Sequence, residues 1–163
     1  MQPTDTLTTL FAHHRWANLA LVERCAALAP EQLDTTMIGG FGSIRDTLEH
    51  IVNGERSYFS RISTGQPFRR PENAPPLTLE EMAESLSTTG DGLIAWASRV
   101  RADDTVTIDW DGTPREVPKM VILTQVINHA TEHRAQVMAI LTQLGIEPPE
   151  LSGWEYFAAL NGW

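Results

Sequence analysis

The chain has 163 residues, 42% hydrophobic and 20% charged, with one cysteine and a formal net charge of −9. That length buries one core and not two, so we read residues 1–163 as a single domain of ordinary globular composition. One cysteine excludes an internal disulfide, a Cys-x-x-Cys redox pair and a cysteine-rich zinc or iron–sulfur site, and the acidic balance, with Lys119 the single lysine beside eleven arginines, argues against nucleic acid and anionic membrane surfaces as partners.

In chain order, Met1-Gln2-Pro3-Thr4-Asp5 lacks a basic stretch followed by an apolar one, and no apolar run is long enough for a transmembrane helix. A cytoplasmic location is the expectation. Leu7, Leu10, Phe11, His14, Ala17, Leu21, Cys25 and Leu28 follow helical spacing and predict a first helix over about 4–28, stopped by Pro30. Thr35 to Gly42 holds three glycines and reads as a loop. Ser43 with Asp46 resembles a cap and opens a second helix to about Thr64, which Gly65 ends. Gln66 to Pro76 carries four prolines and reads as an extended linker. Thr78, Glu80 and Glu81 open a third helix to about Arg101. Thr105 to Trp110 alternates like a strand, Asp111-Gly112 is a hairpin turn signal, and Thr113 to Val117 is the return strand. Pro118 suits the first turn of a fourth helix, which Gly145 terminates. The aromatic tail Trp154-Glu155-Tyr156-Phe157 calls for a short helix or cap packed on the rest. The expected fold is all-α, an antiparallel four-helix bundle with a short hairpin-like insertion before the fourth helix.

The chemistry resides in the histidines. His129 and His133 sit one turn apart, at the centre of the apolar stripe Ile122, Val126, Val137, Ile140 and Leu144. An i, i+4 pair brings two imidazoles to one side of a helix, the spacing one metal ion needs. A third ligand must come from another helix, and His50 is the candidate. It lies about 130° around helix two from the centre of the stripe formed by Ile44, Leu48, Ile51, Glu55, Tyr58, Phe59 and Ile62. Pattern alone therefore leaves His50 open between a ligand at a cavity wall and an exposed histidine near Asp46. His14 lies in the first helix's stripe, with Asn18 one turn on; it either lines the same pocket or is a hydrogen-bonded core histidine. His13 points elsewhere, toward solvent, and Cys25 reads as packing rather than as a nucleophile.

Several near-matches fail. His129-Ala130-Thr131-Glu132-His133 fits the H-x-x-E-H string of inverzincin proteases, but the 30 residues after His133 leave little room for the acidic ligand those enzymes take from downstream. Glu132 still lies only about 60° from His129 around the wheel. The Glu-x-x-His pairs of di-iron bundles are absent, because Thr47, Val126 and Ala130 precede the three histidines by three.

The combined pattern resembles the DinB/YfiT-like superfamily of damage-inducible helical bundles. Four segments carry the resemblance: Arg15-Trp16-Ala17-Asn18, Ser43-Ile44-Arg45-Asp46-Thr47-Leu48-Glu49-His50, Asn128-His129-Ala130-Thr131-Glu132-His133-Arg134-Ala135-Gln136, and Gly153-Trp154-Glu155-Tyr156-Phe157. They occur in family order across almost the whole chain. The resemblance implies a metal triad of His50, His129 and His133 holding zinc or nickel, with open positions for water or substrate, and a homodimer. His14, Glu132 and Gln136 are the candidates to support that triad. By analogy with characterised relatives, the expected activity is metal-dependent transfer of a low-molecular-weight thiol. A metal-dependent hydrolase and a non-catalytic metal- or ligand-binding stress protein are the alternatives. A thiol cofactor bearing carboxylates requires cations at the mouth, for which Arg45, Arg56, Arg61 and Arg134 are candidates. Trp16 lies opposite the first helix's core stripe and needs cover from the tail or from a partner chain.

Overall fold

The computed structural model describes residues 5–163; the expected helix start at Thr4 lies outside them. In order the chain forms α1 (Thr6–Ala26), α2 (Pro30–Leu33), α3 (Ile44–Thr64), α4 (Leu79–Ala97), β1 (Thr105–Trp110), β2 (Thr113–Pro118), α5 (Lys119–Gln143) and α6 (Gly153–Asn161). Helix α1 lies along α4 and touches α5, while α3 packs against both α4 and α5. The molecule is thus mostly helical with one small antiparallel sheet. Among the described residues no helix is long and apolar enough to cross a membrane.

Local chemistry sets the boundaries. The Asp5 carboxylate accepts from the Thr8 N–H at 2.9 Å and starts α1. Ser43 and Asp46 exchange side-chain-to-backbone hydrogen bonds at the head of α3, as do Thr78 and Glu81 at the head of α4. Gly65 follows α3 at φ +76°, a left-handed conformation that stops the helix. In the hairpin Asp111 and Gly112 both have positive φ, 53° and 78°, as a two-residue turn between twisted strands requires.

Among the described residues two short helices accompany the four long ones: α6 is the short helix or cap expected of the tail, whereas α2 was not expected, and the third predicted helix ends earlier than expected. Pro30 stops α1 but also begins α2, with Gln32 Oε1 accepting the Ala29 N–H at 2.9 Å. Helix α4 ends at Ala97 and not near Arg101, because the Arg101 N–H is taken by the Asp104 carboxylate at 3.0 Å and its carbonyl by the Asp104 N–H. The other additional helix, α6, is the aromatic tail. Its Tyr156 ring packs 5.5 Å from Trp16 and 5.6 Å from His13. The tail therefore supplies the cover that Trp16 needs.

The apolar core has two halves. One gathers Leu21, Val22 and Cys25 of α1 with Leu48, Ile51, Met82, Leu86 and Val137. The other gathers Phe11 of α1 with Ile62, Leu93, Val106, Ile122 and Val126. Along each long helix a few polar residues lie between the two sets, and the candidate site occupies that level.

Gly92 shows how tightly α3 and α4 meet. A Cβ there would stand 2.3 Å from Cζ of Phe59. Gly92→Ala improves helix propensity by about 1 kcal/mol, but forcing the ring aside costs about 1–3 kcal/mol. The expected net effect is a lower melting temperature; unchanged or higher stability on thermal unfolding would show that Phe59 yields freely.

Candidate metal centre

Helices α3 and α5 pack face to face and bring three histidines together. His50 comes from α3, and His129 and His133 from consecutive turns of α5. Their donor nitrogens lie within 4.8 Å of one another. His50 Nε2 and His129 Nε2 are 2.9 Å apart, a distance at which two ring nitrogens either share one proton or flank one cation. Imidazoles around a tetrahedral ion place their nitrogens about 3.4 Å apart, and the His50–His129 pair at 2.9 Å is somewhat tighter than that. The wheel ambiguity of His50 is resolved: it faces α5, half-buried, and not solvent near Asp46.

Neighbouring groups fix the rings. Gln136 Oε1 lies 2.9 Å from His133 Nδ1. An amide oxygen only accepts, so Nδ1 carries the hydrogen and Nε2 keeps its lone pair. The same Gln136 oxygen accepts the Phe41 N–H at 3.3 Å. The Phe41 ring stacks on His50, with centroids 3.9 Å apart and planes 20° from parallel. Tyr58 meets His129 edge-on at 5.6 Å. Gly54 makes room: a Cβ at that position would stand 2.8 Å from His129 Cε1. Burial, then the neighbouring His133, lowers the His50 pKa. His129 is pushed from 6.5 to about 4, chiefly by burial and then by His133, His50 and His14. Both shifts favour the neutral ring, the form a metal ion binds.

Next to this cluster lies a buried polar network that links the four long helices. Glu55 of α3 is 3% exposed. It accepts from His14 Nε2 at 2.7 Å and Asn18 Nδ2 at 2.9 Å on α1, and from the Thr89 hydroxyl on α4. Arg134 of α5 completes it, donating to Asn18 Oδ1 at 2.6 Å and to Thr131 Oγ1 at 2.9 Å. Burial lowers the Arg134 pKa to about 10, against the opposing charge of Glu55, so the guanidinium stays charged at neutral pH. His14 is thus a hydrogen-bonded core histidine, with Nε2 donating to a carboxylate that can only accept. Its Nδ1 has no partner among the described residues.

The remaining candidates are dispersed. Glu132 lies on an exposed face of α5. His13 is not solvated as expected: it is half-buried and donates to the Leu151 carbonyl at 2.8 Å. Cys25 is fully buried, its thiol pushed up to about 12 by that burial. Arg45 pairs with Asp34, and Arg56 donates to Ser85 at 2.6 Å. A cavity of about 660 Å³ lies on the other face of α5, between Leu7, Leu10, Phe11, Met120, Leu123 and Ile127. Among the described residues no titratable side chain lines it. Glu55 was visible in the sequence as the one acid in the second helix's apolar stripe. Phe41 gave only a weak signal, an aromatic residue set among glycines.

Gly54→Ala should displace His129 and weaken divalent-metal binding by about 10–100-fold, the range for groups that orient ligands; equal affinity in a competition titration with a chromophoric chelator would show that the close approach is dispensable. In chelator-treated protein His129 protonates near 6.5 when unfolded and near 4 when folded. Between those values the unfolded state binds more protons, so stability falls as pH drops through that window. His129→Gln should flatten this slope in melting temperatures measured from pH 7 to 4, and parallel slopes would refute the assignment.

Comparison with known proteins gives a consistent picture. No curated protein matches the sequence. The structure is similar to that of a DinB-like protein from Bacillus subtilis, with a TM-score of 0.65 at 13% identity over 91% of this chain and 99% of that one. It is also similar to a DinB-like protein from Bacillus cereus ATCC 10987, with a TM-score of 0.59 at 19% identity over 85% and 91%. At such identities the likeness is one of fold. The family model described as DinB family matches residues 1–159, nearly the entire length, and on that match the chain belongs to the DinB family.

Proposed function

We propose that His50, His129 and His133 hold one divalent ion, zinc or nickel, and that the protein is a metal-dependent transferase activating a low-molecular-weight thiol. The observation that carries this reading is the donor set: three imidazoles converge within 4.8 Å, and among the described residues no carboxylate belongs to the cluster. A divalent ion held there would lower the pKa of a thiol or water and so supply a nucleophile at neutral pH. Three neutral nitrogens offset none of a cation's charge, which favours an anionic further ligand, and a sulfur anion is the softer match to zinc or nickel.

The chain's own residues prepare the site. Gln136 holds His133 with its lone pair free, and Phe41 covers one flat side of His50. Gly54 lets α3 approach close enough for His129 to reach the cluster. Homodimerisation and the absence of nucleic-acid or membrane partners belong to the same proposal, the latter supported by the net charge of −9.

Metal analysis of purified protein should find one ion per chain, lost in His129→Ala with the helical circular dichroism retained. If the triple alanine variant at 50, 129 and 133 keeps stoichiometric metal, the site lies elsewhere. In cobalt-loaded protein, N-acetylcysteine should add a sulfur-to-metal charge-transfer band. An unchanged spectrum with fast water exchange would favour the hydrolase, and an unchanged spectrum with slow exchange a binding protein.

A further inference from the structure

A second cavity, of about 490 Å³, lies where the hairpin folds over α3 and α5, within the size range of small-molecule sites. It adjoins the histidines, because Gly54 and Tyr58, both in contact with His129, form part of its wall. The rest of the wall is largely apolar: Ile108, Trp110, Val117, Val121 and Ile122. Trp110 and Val121 are 58% and 52% exposed, and they form the open rim.

The charge on this face departs from the rest of the molecule. Strand register places Val106 opposite Val117, Ile108 opposite Arg115 and Trp110 opposite Thr113. Directly opposed side chains share a face, and alternate residues along a strand share it too. The strands' two acids, Asp109 and Glu116, therefore lie on the outer face, where the Thr105 and Thr107 hydroxyls bond to Glu116. Among the described residues no carboxylate lines the cavity, and the one charged residue in its wall is Arg61. Among the described residues the Arg61 guanidinium donates only through Nη1, to the carbonyl and hydroxyl of Ser57 one turn back. It forms no ion pair among the described residues. Its Nε–H and Nη2–H groups thus remain as a two-pronged donor, a geometry that fits a carboxylate.

We infer that this cavity binds a small organic carboxylate, its acid group on Arg61 and its aliphatic or aromatic body between Trp110 and Val121. The ligand then lies beside His129, where it serves as the second substrate of the metal centre; that last role rests on the function proposed above, whereas the binding does not. In a chain of net charge −9, a basic, apolar and acid-free cavity selects organic anions from solution.

The probes are octanoate and octanol, equal in chain length and different in charge, titrated calorimetrically into the protein as purified. Octanoate should bind about tenfold or more tighter than octanol, as charge-assisted hydrogen bonds imply, and Arg61→Gln should erase that preference. Val121→Glu, a change at an exposed rim position, should weaken octanoate more than octanol. Equal affinities in the wild type, or a preference that survives Arg61→Gln, would overturn the inference. His133→Ala separates it from the metal reading, since His133 does not line the cavity. Octanoate binding that persists in that variant supports Arg61 as the anchor. Binding lost together with the metal would place the carboxylate on the ion and overturn the inference while the metal site stands. Octanoate binding by wild-type protein that contains no metal would remove the metal reading alone.

Discussion

An unpaired carboxylate in the interior costs several kcal/mol, and Glu55 stands at such a position, five residues past His50 on the inner face of α3. Each of the other long helices responds to it. Helix α1 sends His14 and Asn18, α4 sends Thr89, and α5 sends Arg134 by way of Asn18. Apolar packing tolerates small slides between helices, but a hydrogen-bonded carboxylate does not. Removing Thr89, Asn18 or Arg134 leaves another polar group of the network without that partner in the interior. The network thereby fixes the heights of four helices relative to one another, where two separate apolar clusters would fix them only loosely.

That constraint sets the candidate site. Gly54 precedes Glu55 and Arg134 follows His133, so the anchored residues are chain neighbours of the groups that shape the histidine cluster. Holding α3 and α5 at one height places His50 opposite the gap between His129 and His133. The absent Cβ at Gly54 then sets how closely the helices approach. On the outer side, Gln136 joins the loop before α3 to His133 through a shared oxygen, and this brings the Phe41 ring over His50. The site is supported from within by charge and from outside by an aromatic loop.

Much of this was legible in the sequence, and the reasons differ by residue. His129 and His133 stand four apart on one long helix, so their common direction follows from helix geometry alone. His50 did not yield to the same reasoning. A wheel computed from apolar residues locates the core-facing side, whereas His50 faces the flank where α5 passes. The capping boxes at Ser43 and Thr78 and the Asp111-Gly112 turn are local chemistry and were read where they occur. Helix α2 escaped because a proline that ends one helix also suits the first turn of the next. The role of Glu55 escaped because a charged residue within an apolar stripe identifies a buried polar site without naming its partners, which lie 34 to 41 positions away in sequence. Phe41 escaped because loop side chains have no periodicity from which to read direction.

Cys25 gives the protein a property of its own. Its sulfur lies under α1 at 0% exposure, with a pKa near 12, so almost none of it is thiolate at neutral pH. So buried, the thiol can neither coordinate a metal ion nor exchange with a disulfide while the fold is closed. An alkylating reagent gains access only when the helix lifts from its neighbours. The rate of covalent labelling at this single position therefore counts opening events, and a resting molecule reports its own breathing without any introduced probe.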